Sequence, residues 1–131
     1  MQQLPRIGPY QLTRQIGQGS FGSVYQAIQT QTQATVALKV LRDPAQVEEE
    51  DFRRFWLEGQ VGLRLRDPAI VPVLDVGRAA NGLPYLAMEY VEGPTLAAHL
   101  RDRRLEVEEA TRLLVTLARG MARIHDAGGL H

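Results

Sequence analysis

The chain carries a glycine-rich stretch, Ile16-Gly17-Gln18-Gly19-Ser20-Phe21-Gly22-Ser23-Val24, followed by the apolar segment Val36-Ala37-Leu38-Lys39. Closely spaced glycines let a backbone bend tightly and approach a polyphosphate, because no Cβ atoms stand in the way. A lysine supplies the compact positive charge that phosphate groups bind. The two segments together predict a phosphate-binding loop beside a lysine that lies on a strand.

The segments around the glycines have strand patterns. Residues 10–16 and 23–28 predict the two strands of a hairpin, and residues 35–41 predict a third strand. In the third strand, alternation places Ala37 and Lys39 on the same face. The small Ala37 side chain leaves room there for the flat base of a nucleotide. Ahead of the first strand, residues 1–8 are predicted to be a loose lead.

A helix and two strands are predicted next. Asp43-Pro44 is typical of a helix start, and the helix is expected to stop near residues 66–68. Its apolar side consists of Phe52, Phe55, Trp56, Gly59 and Leu63. Residues 70–77 and 83–91 predict strands joined at Asn81-Gly82, a strong hairpin signal. Pro72 and Pro84 indicate edge or end positions for these strands.

Only helices are predicted after Glu92-Gly93-Pro94. A short helix begins at Thr95, and a long helix covers residues 106–127. The long helix has a one-sided apolar stripe, because its apolar residues recur at intervals of three and four. The stripe consists of Val107, Ala110, Leu114, Leu117, Met121 and Ile124.

Composition limits the classes of function. The 131 residues suit one modest domain, and 15 basic residues balance 15 acidic residues, which argues against a nucleic-acid-binding protein. The absence of cysteine excludes disulfides and cysteine-based zinc sites. The sequence shows neither a signal-peptide pattern nor an apolar run long enough to span a membrane. We therefore expect a cytoplasmic location, with a membrane anchor elsewhere in a longer parent protein left open.

These motifs resemble the protein kinase family, in particular the bacterial eukaryotic-like (Hanks-type) serine/threonine kinases. The resemblance runs from about Tyr10 to His131, and Glu58 stands 19 residues after Lys39, as in that family. A lone G-x-G-x-x-G motif would be weak evidence, but the order and spacing of several motifs are specific. The others are Asp67-Pro68-Ala69-Ile70-Val71, Met88-Glu89-Tyr90-Val91-Glu92-Gly93, and the set His125, Gly128 and His131.

The resemblance implies a role for each matching residue. Lys39 would bind the α- and β-phosphates of ATP, and Glu58 would hold Lys39 in place; these are the two catalytic candidates. The glycines would cover the phosphates, Met88 would be the gatekeeper, and the backbones of Glu89 and Val91 would bind the adenine edge. The nucleotide-binding set is Ile16, Gly17, Gln18, Gly19, Ser20, Phe21, Gly22, Val24, Ala37, Lys39, Met88, Glu89 and Val91.

The resemblance also implies the fold and the ligands. The expected class is α+β, with residues 1–91 forming a kinase N-terminal lobe of five antiparallel strands and one helix. Residues 92–131 would form the hinge exit and the first two helices of an incomplete C-terminal lobe. ATP is the expected cofactor, with magnesium in the full-length parent but no metal ligand in this chain.

One departure from the family shapes the functional expectation. His131 resembles the first residue of the family's His-Arg-Asp catalytic loop, and the Asp that accepts the substrate proton would come after it. We therefore expect a parent enzyme that phosphorylates serine or threonine hydroxyls of proteins, and a chain that is inactive alone. Its long helix, lacking much of its partner surface, favours self-association.

Two other functions fit parts of the pattern. A pseudokinase or a nucleotide-binding regulatory module would keep the same motifs without phosphate transfer. A dinucleotide-binding oxidoreductase shares G-x-G-x-x-G but needs a helix directly after the glycines, where residues 23–28 have strand character. Gly59 and Gly62 each weaken the helix that carries Glu58, and the alternative interpretation of Gly62 is that it admits a neighbouring side chain closely.

Overall fold

The computed structural model describes residues 4–19, 22–41, 48–80 and 82–128. In the described residues, four strands are followed by one helix, two strands and two helices, an order typical of an α+β fold, which confirms the predicted class. The strands are β1 (Arg6–Ile7), β2 (Tyr10–Gln18), β3 (Gly22–Gln29), β4 (Thr35–Leu41), β5 (Val73–Arg78) and β6 (Pro84–Glu89). The helices are α1 (Glu49–Arg64), α2 (Leu96–Leu100) and α3 (Val107–Asp126).

The strands form one antiparallel sheet in the order β1-β2-β3-β4-β6-β5. The six strands are one more than the predicted five, because β1 turns back onto the start of β2. Gly8 makes that turn with a φ of +55°, and Ile7 is 6% exposed in the core. The prediction of a loose lead is therefore wrong for Arg6 and Ile7. A strand, not a helix, comes after the glycines, which removes the dinucleotide-binding alternative.

A hydrogen bond closes one face of the curled sheet. The Tyr10 hydroxyl donates to Asp75 Oδ2 over 2.9 Å, joining β2 to β5 on the far edge. The ring of Tyr85 packs edge-on against Tyr10, with centroids 5.5 Å apart. Burial, together with the Asp75 carboxylate, raises the pKa of both tyrosines. The neutral phenols are therefore part of the folded core.

This closure predicts a loss of stability at alkaline pH. Because the tyrosine pKa is raised in the folded state, the neutral phenols stabilise the folded chain fully below the unfolded tyrosine pKa of about 10. This stabilisation is lost as the pH rises above that value. We expect the urea midpoint of the chain to fall between about pH 9 and pH 11. The Tyr10→Phe variant should show a shallower fall, whereas Tyr25→Phe, which keeps the Tyr10–Asp75 pair, should show the full one. Equal slopes for the two variants would contradict this account.

Helix α1 packs on the edge strand β5 and on its neighbour β6. Its first turn carries Glu49, Glu50 and Asp51, whose negative charges interact favourably with the helix N-terminus and stabilise this end. The predicted start at Asp43-Pro44 lies outside the described residues. Phe55 is 4% exposed, but Trp56 is 44% exposed and stacks on Phe52 at the flank of the helix. The prediction that Trp56 is a packing residue is thus only partly correct.

The last two strands are shorter than predicted. β5 starts at Val73, not at residue 70, because Asp67 holds a turn: its side chain accepts from Ala69 N–H and its carbonyl accepts from Ile70 N–H. Pro72, which has no N–H, then precedes the first paired residue. β5 is an edge strand and Pro84 is the first residue of β6, as the prolines indicated. Of the predicted turn, Asn81 lies outside the described residues.

The helices after the sheet agree closely with the prediction. Thr95 caps α2 by accepting from Ala98 N–H, and α3 begins and ends within a residue of the predicted bounds. Much of the apolar stripe of α3 is open, with Val107 81% and Leu114 66% exposed. The described helices include none that is long and apolar enough to cross a membrane.

The middle of α3 contacts the turn before β5. Gly120 is buried, and a Cβ there would lie 3.1 Å from Ala69 Cβ. Arg123 Nη1 lies 3.7 Å from Asp67 Oδ2. Asp67 therefore shapes the turn and also contacts α3. Both contacts belong to the segment 67–71, one of the motifs named in the sequence.

Candidate functional site

The pairing register places the candidate residues on one face of the sheet. Directly opposed residues of neighbouring strands point to the same side. One such row is Gly17, Val24, Lys39 and Leu86, and the next is Arg14, Gln26, Ala37 and Met88. Leu86 and Met88 pack with Phe55 of α1, so both rows lie on the face that α1 covers. The predicted neighbours Ala37 and Lys39 are indeed on that face.

Lys39 and Glu58 meet at the boundary between the sheet and α1. The Lys39 ammonium donates to both carboxylate oxygens of Glu58, at 3.3 and 3.4 Å, and lies 6.0 Å from the centre of the Phe55 ring. The helix comes this close because residue 59 is glycine. A Cβ at Gly59 would lie 3.0 Å from Leu86 Cδ1, and Leu86 is the cross-strand neighbour of Lys39.

This ion pair is accessible to a ligand. The Lys39 side chain is 30% exposed and that of Glu58 is 51% exposed. An exposed pair of this kind contributes only about 0–1 kcal/mol to folding stability. The arrangement holds a positive charge next to open space at little cost, which suits binding an anion better than it suits stabilising the fold.

The glycine loop joins β2 to β3, and Gly17 lies in the same cross-strand row as Lys39. Gly19 N–H donates to the Gly22 carbonyl over 2.8 Å, whereas Ser20 and Phe21 lie outside the described residues. A Cβ at Gly22 would collide with the carbonyl oxygen of Val40, so this position requires glycine. Gly17 and Gly19 have no such neighbour, and their backbone is free to approach a ligand.

Apolar side chains surround the space between β2 and the segment after β6. Ile16 and Val91 are 39% and 62% exposed, whereas Ala37 is buried on the floor of the sheet. The Glu89 N–H already donates to the Pro72 carbonyl over 3.0 Å. Glu89 can therefore offer a ligand only its carbonyl. Apolar walls, a bare glycine backbone and one ammonium group together fit a nucleoside triphosphate.

Three polar side chains that no sequence pattern predicted form a hydrogen-bonded series between β2, β3 and the segment after β6. Arg14 Nε donates to Gln26 Oε1 over 2.6 Å, and Arg14 Nη2 donates to the Tyr90 hydroxyl over 3.0 Å. Arg14 and Tyr90 stand 76 residues apart, so no local pattern connects them. Gln18 is exposed at the end of β2. Within the described ranges, histidine, aspartate and glutamate side chains do not gather in threes as metal ligands would.

Comparisons with known proteins agree on one family. The protein kinase domain family matches residues 10–131. Serine/threonine-protein kinase pkn3 of Myxococcus xanthus is 34% identical over 123 residues, which is 93% of this chain and 22% of that protein. Serine/threonine-protein kinase PknE of Mycobacterium bovis is 34% identical over 128 residues, 96% of this chain and 22% of that protein.

A solved structure shows the same fold. The PknI kinase domain of Mycobacterium tuberculosis superposes with a TM-score of 0.79 and 31% sequence identity. The match covers 100% of this chain and 53% of that chain. The present chain thus spans about half of a solved kinase domain and a much smaller share of the curated relatives. The antiparallel sheet with its helix α1 matches the N-terminal lobe of the kinase fold.

Proposed function

Since this chain belongs to the protein kinase family, we propose that it is the ATP-binding part of a serine/threonine kinase that phosphorylates protein hydroxyls. The contact of Lys39 with Glu58 on the face beneath the glycine loop is the observation that supports this most strongly. The names of the bacterial relatives support the serine/threonine assignment.

Each part of the site has a proposed task. ATP supplies the phosphoryl group. Lys39 binds the α- and β-phosphates, and Glu58 keeps the ammonium pointing toward them. The backbone of Gly17 and Gly19 covers the phosphates, and Ile16, Val24 and Ala37 hold the base. The Glu89 carbonyl and the Val91 backbone bind the adenine edge, and the partly buried Met88 is the gatekeeper at the back of the pocket.

We propose further that the chain binds ATP but does not transfer phosphate by itself. The 53% coverage of a solved kinase domain supports this, because transfer also needs a catalytic aspartate and magnesium ligands.

We propose a cytoplasmic location, where ATP is available to the site. We divide the chain at residues 91 and 92, where the sheet has ended and only helices come after it. The exposed stripe of α3 should promote self-association, which sedimentation at increasing concentration tests.

A lysine-directed ATP probe tests the site. Lys39 is the single lysine of the sequence, since the other basic residues are arginines. In an ATP acyl phosphate, the amine attacks the acyl carbon, an amide bond forms and ATP leaves. We expect mass spectrometry to find the label on Lys39, with free ATP protecting it about equally with and without magnesium. Peptide mapping separates this label from that on the N-terminal amine.

The control uses the same acyl group without a nucleotide. An acetyl phosphate should label Lys39 no faster than it labels the N-terminal amine, because it lacks the base and ribose that seat the probe. Labelling of Lys39 that ATP does not reduce would contradict the proposed function. Protection that strictly requires magnesium would contradict the expected binding of ATP without magnesium.

A further inference from the structure

Strand β2, which carries Ile16 of the proposed nucleotide pocket, has few backbone partners among the described residues. Among the described residues, β1 pairs only with Tyr10 and Gln11, so beyond Leu12 the strand β2 pairs there with β3 alone. The β2–β3 register also shifts twice, between Leu12 and Arg14 and again between Gln15 and Gly17. Such irregularities interrupt the ladder and bend a strand. The segment 13–18 is therefore an edge of the sheet. It needs another contact to hold it at a fixed distance from residues 89–91.

Arg14 provides a direct link from this edge to the opposite wall. It lies between the two register shifts, and its guanidinium spans from Gln26 on β3 to the Tyr90 hydroxyl. Among the described residues, its bond to Tyr90 is the hydrogen bond that joins residues 13–18 to residues 89–91. Tyr90 stands between Glu89 and Val91, the two residues whose backbones are proposed to bind the base, and Arg14 stands two residues before Ile16.

The link lies on the ligand side of the sheet. Arg14, Gln26, Ala37 and Met88 form one row of cross-strand neighbours, and Ala37 is the floor of the proposed base site. The Arg14–Tyr90 bond thus joins β2 to the segment after β6, the two parts of the chain on either side of the proposed base site. We expect this bond to set the distance between Ile16 and the backbone of residues 89–91, the gap that a planar base would enter.

We propose that Arg14 and Tyr90 are a positioning pair that sets the width of the base pocket, with Gln26 orienting the guanidinium. The proposal rests on the nucleotide-binding function proposed above. Neither side chain needs to touch the phosphates, because Arg14 lies one row of the sheet away from Lys39 and Gly17. The pair therefore affects recognition of the base and ribose and leaves recognition of the phosphates unchanged.

Two probes that each carry half of the ligand separate these effects. Binding of adenosine and of inorganic tripolyphosphate to the 131-residue chain is measured by competition against the ATP acyl phosphate at Lys39. For Arg14→Met we expect adenosine affinity to fall by about threefold to tenfold, the loss typical of one ordinary hydrogen bond, with tripolyphosphate affinity unchanged. Tyr90→Phe should give the same pattern, and the double variant should lose no more than either single one.

The matched control is Arg112→Met. Arg112 also forms an exposed hydrogen-bonded contact, with Glu108 at 3.3 Å, but on α3 far from the sheet. It should change neither affinity. A general loss of structure in Arg14→Met would lower the affinities for both probes together, and that result would overturn the positioning role. So would an unchanged adenosine affinity in Arg14→Met or Tyr90→Phe.

Failure of the underlying function gives a different result. If the unchanged chain binds neither probe and ATP does not protect Lys39, the nucleotide-binding function fails and the pocket-width role falls with it. If the unchanged chain binds both probes and the two single variants bind them equally well, only the positioning role is wrong.

Discussion

Replacing Lys39 with methionine is expected to abolish phosphate transfer by the proposed parent kinase, while leaving the fold intact. Methionine keeps the length and apolar stem of lysine but removes the positive charge. Loss of one electrostatic contact to the transition state typically lowers turnover by a factor of roughly a hundred or more. Stability should change by less than about 1 kcal/mol, because the Lys39–Glu58 pair is exposed and contributes little.

The measurement is transfer of labelled γ-phosphate to a mixed peptide substrate, with a thermal melt of each variant. Arg54→Met is the matched control, since it also removes an exposed cation that faces a glutamate at 3.2 Å. Arg54 lies on α1, as Glu58 does, but it pairs with Glu50 of the same helix and not with the sheet. We expect near-normal transfer for Arg54→Met. A Lys39→Met variant that stays folded and retains a tenth or more of the activity would refute the proposed role of Lys39.

The second large effect concerns the contact between helix and sheet at Gly59. Glycine in the middle of a helix is unfavourable, and alanine there would gain about 1 kcal/mol from helix propensity alone. The structure predicts the opposite outcome for Gly59→Ala. The new Cβ would stand 2.5 Å from Val76 Cγ2 and 3.0 Å from Leu86 Cδ1, and forcing a methyl group into a packed core costs about 1–3 kcal/mol. We expect a net loss of about 1 kcal/mol.

Urea unfolding of a double-mutant cycle tests this explanation. Val76→Ala removes both methyl groups of Val76, which would lie 2.5 and 3.1 Å from the new Cβ. Gly59→Ala should therefore cost less in the Val76→Ala background than in the unchanged chain, and the difference is the coupling between the two sites. A stabilising effect of Gly59→Ala in the unchanged chain would show that α1 does not approach the sheet closely enough to exclude a methyl group. Purely additive effects would do the same.

Features that depend on local pattern could be predicted from the sequence. Alternation alone placed Ala37 and Lys39 on the same face, and the structure agrees. The distance from Lys39 to Glu58 along the chain, read with the family pattern, identified their contact. The length of α3 could be predicted from the three-and-four spacing of its apolar residues. In each case the signal lies within a few residues or in a known spacing.

Features that depend on distant partners could not be predicted. The Tyr10–Asp75 bond joins residues 65 positions apart, and the Arg14–Tyr90 bond joins residues 76 positions apart. Neither leaves a trace in local composition, because no short spacing connects the two partners. Trp56 was misjudged for a related reason: helical spacing shows which side of α1 is apolar, but not where the sheet beneath it ends.

The strand order has a consequence for synthesis of the chain. β6 lies between β4 and β5, so the open side of β4 obtains its partner only when residues 84–89 have been made. Until then the growing polypeptide presents Val36, Leu38 and Val40 beside unpaired backbone groups, an edge that can template association with other nascent chains. The ribosome must therefore extend the chain through α1 and β5 before this edge is sealed.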